Sequence, residues 1–509
     1  MVSTIDDRES PPRVELPRIY NAAVDLLDRH VIEGRGDRIA VIDDRGSHSY
    51  AELAARADRS AGALAAMGVV PEQRVAIVML DSADWIAAFL GAIKLGAVPV
   101  PLNTNLTAAD YAYMLRDMRA RAVIVSEALA SKISHDNRAT DGVGGDWQAR
   151  VASAAPITKA AETTPDDVAF WLYSSGSTGK PKGAMHLHGS PILTAALYAR
   201  PILGIRPDDR VYSAAKLFFA YGLGNALTFP FSVGATSIVC ADRPNPATVL
   251  RVMREHRPTI FGGVPTLFAQ LLADPMLTRE AVGPLRVSTS AGEALPKHVG
   301  ERWCERTGSD ILDGIGSTEM LHIFLSNRPG AIAYGTTGTP VPGYELELRG
   351  DAGEQVETEG ALWVRGPTSC IGYWNDRARS LSTFHGPWTR TGDQYVRNAD
   401  GTWTYSGRAD DMLKVGGIWV SPFEVESALA AHPAVLEAAV VGAEDQDGLI
   451  KPKAFVVTRN EVAADELKAF VKDRLAPYKY PRWVEFVSEL PKTATGKIQR
   501  FKLRDATRA

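Results

Sequence analysis

Cysteine is scarce: Cys240, Cys304 and Cys370 are the only three in 509 residues. They stand dozens of residues apart, with no CxxC pair and no histidine at ligand spacing. That excludes a disulfide framework and a cysteine-based metal site, and leaves three buried small hydrophobes in a reducing cytoplasm. No tract of five or more lysines and arginines occurs, and the formal net charge is -4, so nothing draws the chain in bulk to nucleic acid or an anionic membrane. Long hydrophobic runs are missing too: the apolar stretches 75–80 and 86–93 are far shorter than a membrane span. The opening MVSTIDDRESPPRVEL is acidic and carries prolines, without the basic start and apolar stretch of a secretory signal. No internal repeat and no low-complexity tract is visible. A soluble cytoplasmic protein acting on small molecules is expected, and the sequence leaves monomer and homodimer both open.

What is present is ample material for a core. Hydrophobic residues make up 45% and charged residues 23% of the chain, ordinary values for a globular protein, in a length that calls for two or more domains. Apolar β-type runs alternate with helical patterns, which reads as α/β layers around parallel strands. In one such unit RVAIVML (74–80) leads through Asp81 and Ser82, a capping pair, into a helix over 85–94 that Gly96 ends; the next strand spans 97–102. Three later runs empty into Gly/Ser/Thr-rich loops: FWLY into SSGSTGKPKG, LRVSTS into AGEALP, and ILDG, with Asp313 and Gly314, into IGSTEM. In open α/β sheets the crevice beyond the strand C-termini binds ligands, so the three loops are expected to converge there. Beyond residue 409 a small α+β unit follows, giving expected domains 1–409 and 410–509. Its first helix starts at Ser421 as N-cap, with Pro422 at the first helical position and Glu424 where a capping box needs it. A second helix is expected over 465–476, stopping at Pro477 and placing Leu467, Phe470, Val471 and Leu475 on one face, with strands over 435–441, 454–458 and 483–487.

The stretch YSSGSTGKPKG (173–183) packs hydroxyls, glycines and two lysines together. It is not a Walker A loop, because Lys180 is followed by Pro181 where that motif needs Ser or Thr. Proline also argues that the loop stays extended and does not open a helix. Backbone N–H groups at Gly176 and Gly179, the hydroxyls of Ser174, Ser175, Ser177 and Thr178, and the charges of Lys180 and Lys182 suit wrapping a polyphosphate; a flexible surface loop is the ordinary alternative. His186 and His188 in MHLH alternate as on a strand, without a third ligand nearby, and read as structural.

With these residues in view the chain resembles the adenylate-forming superfamily of acyl-CoA synthetases, aryl-CoA ligases, luciferases and peptide-synthetase adenylation domains. YSSGSTGKPKG matches its signature loop, and LGAVPVPLN (95–103), AGEALP (291–296), GIGSTE (314–319), TGD (391–393), GRADD (407–411) and PKTATGK (491–497) follow in the family's order. The resemblance implies a large N-terminal α/β domain of parallel-type sheets with a small β-barrel-like subdomain, and a small mobile α+β lid. It also implies ATP, Mg²⁺ and coenzyme A: a carboxylate attacks the ATP α-phosphate, and a thiol then attacks the acyl-adenylate. Glu319 resembles the Mg²⁺ ligand, with Thr318 beside the phosphates; Asp393 resembles the ribose acceptor and Arg408 its partner. Ala291, Gly292 and Glu293, with Asp313 and Gly314, would line the adenine. Lys497 resembles the essential lysine between substrate carboxylate and α-phosphate. Asp410 falls at the hinge, and Gly416 and Gly417 at a turn that would border the pantetheine channel after the lid rotates.

The strings FFAYGLGNALTFPFSVGAT and GIGSTEMLHIFLSN resemble the benzoate-CoA ligase branch of the family. That implies a benzoate or aryl-acid CoA ligase, with loading of a carrier-protein phosphopantetheine arm as the alternative. Ala220, Tyr221, Gly316, His322 and Ile323 would line an aryl pocket. Phe219, near the carboxylate entrance, stands where amino-acid-activating relatives place an aspartate, so an ammonium would be left unpaired there. His322 is open between a contact to a ring substituent and the floor of the pocket.

Overall fold

The computed structural model describes every residue except 143–144, 175–180, 409–410, 416–417, 447–448, 477, 493–497, 501 and 505–509. Two parallel sheets organise the large domain. In the smaller, Val98–Pro101, Arg74–Val78, Ala122–Ser126 and Arg138–Asp141 lie side by side, all parallel. In the larger, nine strands run from Thr339–Pro340 at one edge to Gly46–Ser49 at the other. Its centre, with Asp310–Gly316, Val287–Ser290, Ile260–Gly263 and Arg210–Ser213 adjacent, is parallel.

The expected strand–helix–strand unit forms as the sequence indicates. Ser82 Oγ accepts the Trp85 N–H at 3.2 Å and starts the helix Ala83–Lys94. Every residue of that helix is buried, which is why its sequence is apolar all round. Gly91 lets the helix Tyr50–Ala66 close against it, since a Cβ there would lie 2.6 Å from the Ala57 carbonyl oxygen. Lys94, at its end, is buried against Asp58 and against Asp28 at 2.6 Å, because an ammonium leaves water only with partners.

The barrel-like subdomain is a six-stranded antiparallel sheet built around Glu359–Arg365 and Trp388–Arg397, with Trp403–Arg408 paired to the latter. In the small domain Val435–Glu444 pairs antiparallel with Ile450–Thr458, which pairs parallel with Trp483–Phe486. Helices Pro422–Ala430 and Ala464–Lys472 cover this sheet. No helix among the described residues is long and apolar enough to cross a membrane.

Four expectations need correction. The strand Val168–Ser174 is not part of a parallel sheet; it pairs antiparallel with Lys182–Leu187 as a two-stranded ribbon, since so short a connection cannot make the crossover that parallel pairing needs. The second helix of the small domain ends at Lys472, short of residue 476, so Phe470 is only half-buried, under the Arg474 guanidinium at 3.4 Å. Ser421 caps its helix through the Glu424 N–H at 3.2 Å, but the Glu424 carboxylate is taken by Lys479 at 2.6 and 2.7 Å, which leaves the capping box half made. Cys304 is only partly buried, unlike Cys240 and Cys370.

Candidate active site

Three chain segments that are far apart in sequence meet around Lys182 and Glu319. In the ribbon, Lys182 stands opposite Ser174, so the residues that flank 175–180 are paired. The strand Asp310–Gly316 delivers Ser317, Thr318 and Glu319 just beyond its end. The third segment, 370–374, is stitched to both. The Cys370 N–H donates to the Glu319 carbonyl at 2.7 Å; Ile371 donates to Met185 at 3.1 Å, Met185 to Gly372 at 3.1 Å, and Trp374 to Gly183 at 2.9 Å.

The charged groups brought together are Lys182 and Glu319, 3.3 Å apart, with the Tyr373 hydroxyl between them. Lys182 donates to that hydroxyl at 2.6 Å, and the hydroxyl donates to Glu319 Oε1 at 2.7 Å. Burial pushes the Glu319 carboxyl up, but the Lys182 charge and the Tyr373 hydroxyl outweigh it and hold the group below the ordinary carboxylate range. Glu319 is therefore an ionised oxygen donor. No group of three or more His, Cys, Asp or Glu able to hold a metal occurs among the described residues. A lone carboxylate fits Mg²⁺, which keeps waters and takes its other ligands from phosphate. Two residues on, Leu321 is buried with φ at 67°, a left-handed conformation costing on the order of 1–3 kcal/mol for a non-glycine residue; its N–H donates to the Thr318 carbonyl at 3.2 Å, tightening the turn. His186, behind this turn, is fully buried, stacks on Phe170 at 5.2 Å, and is pushed down to about 4 by burial. His188 Nδ1 accepts the Ala22 N–H at 3.1 Å. The MHLH histidines are thus packing residues.

A second group of the expected site residues lies at the C-terminal ends of Val287–Ser290 and Asp310–Gly316, where Ser290 faces Asp313 across the parallel ladder. Ala291, Gly292 and Glu293 follow Ser290 directly, with Gly292 at φ 96°, a conformation glycine adopts freely. The Asp313 carboxyl is buried, accepts the Leu295 N–H at 3.4 Å through one oxygen, and has no hydrogen-bond partner on the other among the described residues. Burial pushes it up to about 8, so near neutral pH it is largely an acid offering both a donor and an acceptor. Gly314 sits against Ile323, whose Cγ2 would lie 2.9 Å from a Cβ at 314. Asp393 and Arg408 are cross-strand partners joined at 3.1 Å. Burial, with smaller contributions from the Asp393 and Asp313 charges, raises the Tyr395 hydroxyl far above its ordinary range.

After the strand Arg210–Ser213 comes a cluster of aromatic side chains. Phe219 precedes the short helix Ala220–Leu223, and the Tyr221 hydroxyl donates to the Thr289 carbonyl at 2.9 Å. The His322 ring is buried among Tyr198, Tyr221 and Phe229, with centroids at 5.5, 5.6 and 4.4 Å. Neither of its ring nitrogens has a hydrogen-bond partner among the described residues, and burial pushes the ring down to about 3, so it is uncharged. Two glycines seat it. A Cβ at Gly224 would lie 2.2 Å from His322 Cδ2, and one at Gly316 would lie 2.5 Å from the His322 carbonyl oxygen. Ile323 pairs with Gly316 across a bulge.

Ser175, Gly176, Ser177, Thr178, Gly179, Lys180, Asp410, Gly416, Gly417 and Lys497 lie outside the described residues. The flanks of 493–497 are anchored: Lys492 and Ile498 pair in an isolated bridge, and Lys492 reaches Glu437 at 2.6 and 2.7 Å. The small domain leans on the strand carrying Arg408, with Phe423 against Tyr405 at 5.5 Å. Sequence reasoning missed Tyr373 and Gly224. Nothing in IGYWND announces that its tyrosine reaches a carboxylate 54 positions away, whereas Gly224, inside an apolar helical run, is the kind of glycine that signals close approach.

A profile of AMP-binding enzymes matches residues 28–374, and a profile of the AMP-binding enzyme C-terminal domain matches 424–497. The chain is 54% identical to the benzoate–CoA ligase of Thauera aromatica over 99% of each chain. It is 50% identical to a 4-hydroxybenzoate–CoA/benzoate–CoA ligase of Rhodopseudomonas palustris, over 96% of this chain and 95% of that one. Among solved structures, a benzoate CoA ligase from Burkholderia xenovorans is 54% identical with a TM-score of 0.90, covering 95% of this chain and 100% of the other. An anthranilate CoA ligase in complex with anthranoyl-AMP is 42% identical with a TM-score of 0.93, over 97% and 98%.

Proposed function

The chain belongs to the AMP-binding enzyme family, and from that premise we propose that it is an AMP-forming benzoate–CoA ligase with the division of labour set out below. It joins benzoate or a close aryl acid to ATP as an acyl-adenylate, releasing pyrophosphate, and passes the acyl group to the coenzyme A thiol, releasing AMP. The observation that carries the substrate class is the uncharged His322 ring among Tyr198, Tyr221 and Phe229, which we read as the floor of a ring slot with Phe219 at its entrance. A flat ring fits such a slot, and an amino acid's ammonium would find no counter-charge. Transfer to a carrier protein is the less favoured reading, since the relatives aligned along the full chain are named for coenzyme A.

The residue roles in this proposal follow the motifs that the chain shares with the family. Ser174, the segment 175–180 and Lys182 hold the β- and γ-phosphates. Thr318 lies at the phosphates and Glu319 ligates Mg²⁺, which neutralises charge building on the phosphate oxygens. Asp393 accepts the ribose hydroxyls beside Arg408, while 291–293 and Asp313 with Gly314 border the adenine. Lys497 sits between carboxylate and α-phosphate. Asp410 is the hinge between domains 1–409 and 410–509, and Gly416 and Gly417 border the thiol's path after rotation.

ATP–pyrophosphate exchange without coenzyme A, run against benzoate, hydroxy- and aminobenzoates, short fatty acids and α-amino acids, tests the reading. Exchange should peak with benzoate or one of its derivatives, and absence of exchange with every acid overturns the proposal. Gly224→Ala tests the pocket. Its methyl displaces the His322 ring, and overpacking costs about 1–3 kcal/mol of stability, visible as a lowered Tm. The kcat/KM for benzoate should fall roughly 10- to 200-fold, with a smaller loss for a short fatty acid. An unchanged ratio between the two acids would show that Gly224 does not shape the ring slot.

A further inference from the structure

Lys182 and Glu319 have opposite charges, stand 3.3 Å apart, and are little exposed, at 18% and 14% of their side chains. At that distance they form an ion pair, because desolvated opposite charges attract strongly. The Tyr373 hydroxyl joins the pair, accepting from Lys182 at 2.6 Å and donating to Glu319 Oε1 at 2.7 Å, both shorter than the direct contact. The Lys182 ammonium also lies 4.1 Å from the centroid of the Tyr373 ring, which holds it by cation–π attraction. Tyr373 is itself fixed, since its neighbours Cys370, Ile371, Gly372 and Trp374 are hydrogen-bonded to both the Glu319 turn and the strand after the phosphate loop.

We infer that Tyr373 is a positioning residue for adenylation: its hydroxyl bridges Lys182 and Glu319 and fixes where the ammonium meets phosphate and the carboxylate meets the metal. This rests on the roles proposed above for those two residues. The bridge also ties phosphate and metal binding together, so nucleotide that engages Lys182 and metal that engages Glu319 release the same hydroxyl.

Tyr373→Phe keeps the ring and its cation–π contact and removes only the bridge. Calorimetric binding of ATP, with and without Mg²⁺ and with no acid present, reads the effect without turnover. In the wild type Mg²⁺ should tighten ATP binding; in the variant that gain should shrink about 10- to 100-fold, the usual scale for losing a partner of a metal ligand. AMP binding and thioester formation from supplied benzoyl-AMP should stay at wild-type values. Tyr373→His serves as a second variant, restoring part of the Mg²⁺ gain if its ring nitrogen replaces the hydroxyl. An unchanged Mg²⁺ gain in Tyr373→Phe overturns the inference, as does an equal loss of AMP binding and thioester formation, which would make Tyr373 a packing residue. Failure of the wild type to exchange pyrophosphate would overturn the proposed reaction instead, and the binding comparison would still report on Tyr373.

Discussion

Lys497→Ala should abolish adenylate formation while sparing the second half-reaction. Two anions, the benzoate carboxylate and the α-phosphate, must come within bonding distance, and a unit charge about 4 Å from each changes the energy by about 4 kcal/mol at an effective dielectric near 20. At about 1.4 kcal/mol per tenfold, pyrophosphate exchange should fall on the order of 10³-fold. Thioester formation from supplied benzoyl-AMP and coenzyme A should stay near wild type, since that step no longer brings two anions together. The residues on either side of 493–497 are held by ion pairs: Lys492 with Glu437, Arg500 with Glu426 at 2.7 Å, and Arg504 with Asp411 at 2.6 Å. Removing the Lys497 charge therefore leaves those contacts intact. Equal loss of both half-reactions would contradict a lysine that serves adenylation alone.

Glu319→Gln should give the second large effect, with a different signature. The amide has the carboxylate's size and still accepts from the Tyr373 hydroxyl, so the fold of the turn is kept. What is lost is the charge that the Lys182 ammonium, 3.3 Å away, helps keep ionised. Exchange should drop about 10²- to 10³-fold, the usual scale for losing one electrostatic stabiliser of a transition state, and the Mg²⁺ concentration for half-maximal rate should rise. Lys497→Ala should leave that Mg²⁺ concentration unchanged. A Glu319→Gln enzyme with wild-type Mg²⁺ dependence would take Glu319 out of the metal's coordination.

The sequence exposed what depends on local chemistry. Ser82 and Gly96 bracket their helix because capping and left-handed turns involve neighbours in the chain. The Gly-rich strings at 291–296 and 314–319 do lie at the ends of adjacent parallel strands, as apolar runs emptying into polar loops indicate. What local chemistry does not carry is partner choice. Val168–Ser174 reads as a parallel strand, yet its partner is the segment returning after Pro181. Glu424 has the spacing for a capping box, yet Lys479, 55 positions on, takes its carboxylate. Tyr373 joins two charged groups from separate segments, and Gly224 is explained only by a ring 98 positions away. The ambiguity of His322, between substituent contact and pocket floor, narrows once three aromatic neighbours and two glycines are seen to enclose it.

The measurement that tests the central claim most directly is a single turnover with enzyme in excess over benzoate, with ATP and Mg²⁺ and without coenzyme A, quenched and resolved by chromatography. The account predicts that benzoyl-AMP and pyrophosphate appear in equal amounts and that benzoyl-AMP persists on the enzyme. Later addition of coenzyme A should convert it to benzoyl-CoA and AMP. ADP and phosphate in place of AMP and pyrophosphate, or benzoyl-CoA formed without a preceding adenylate, would contradict it.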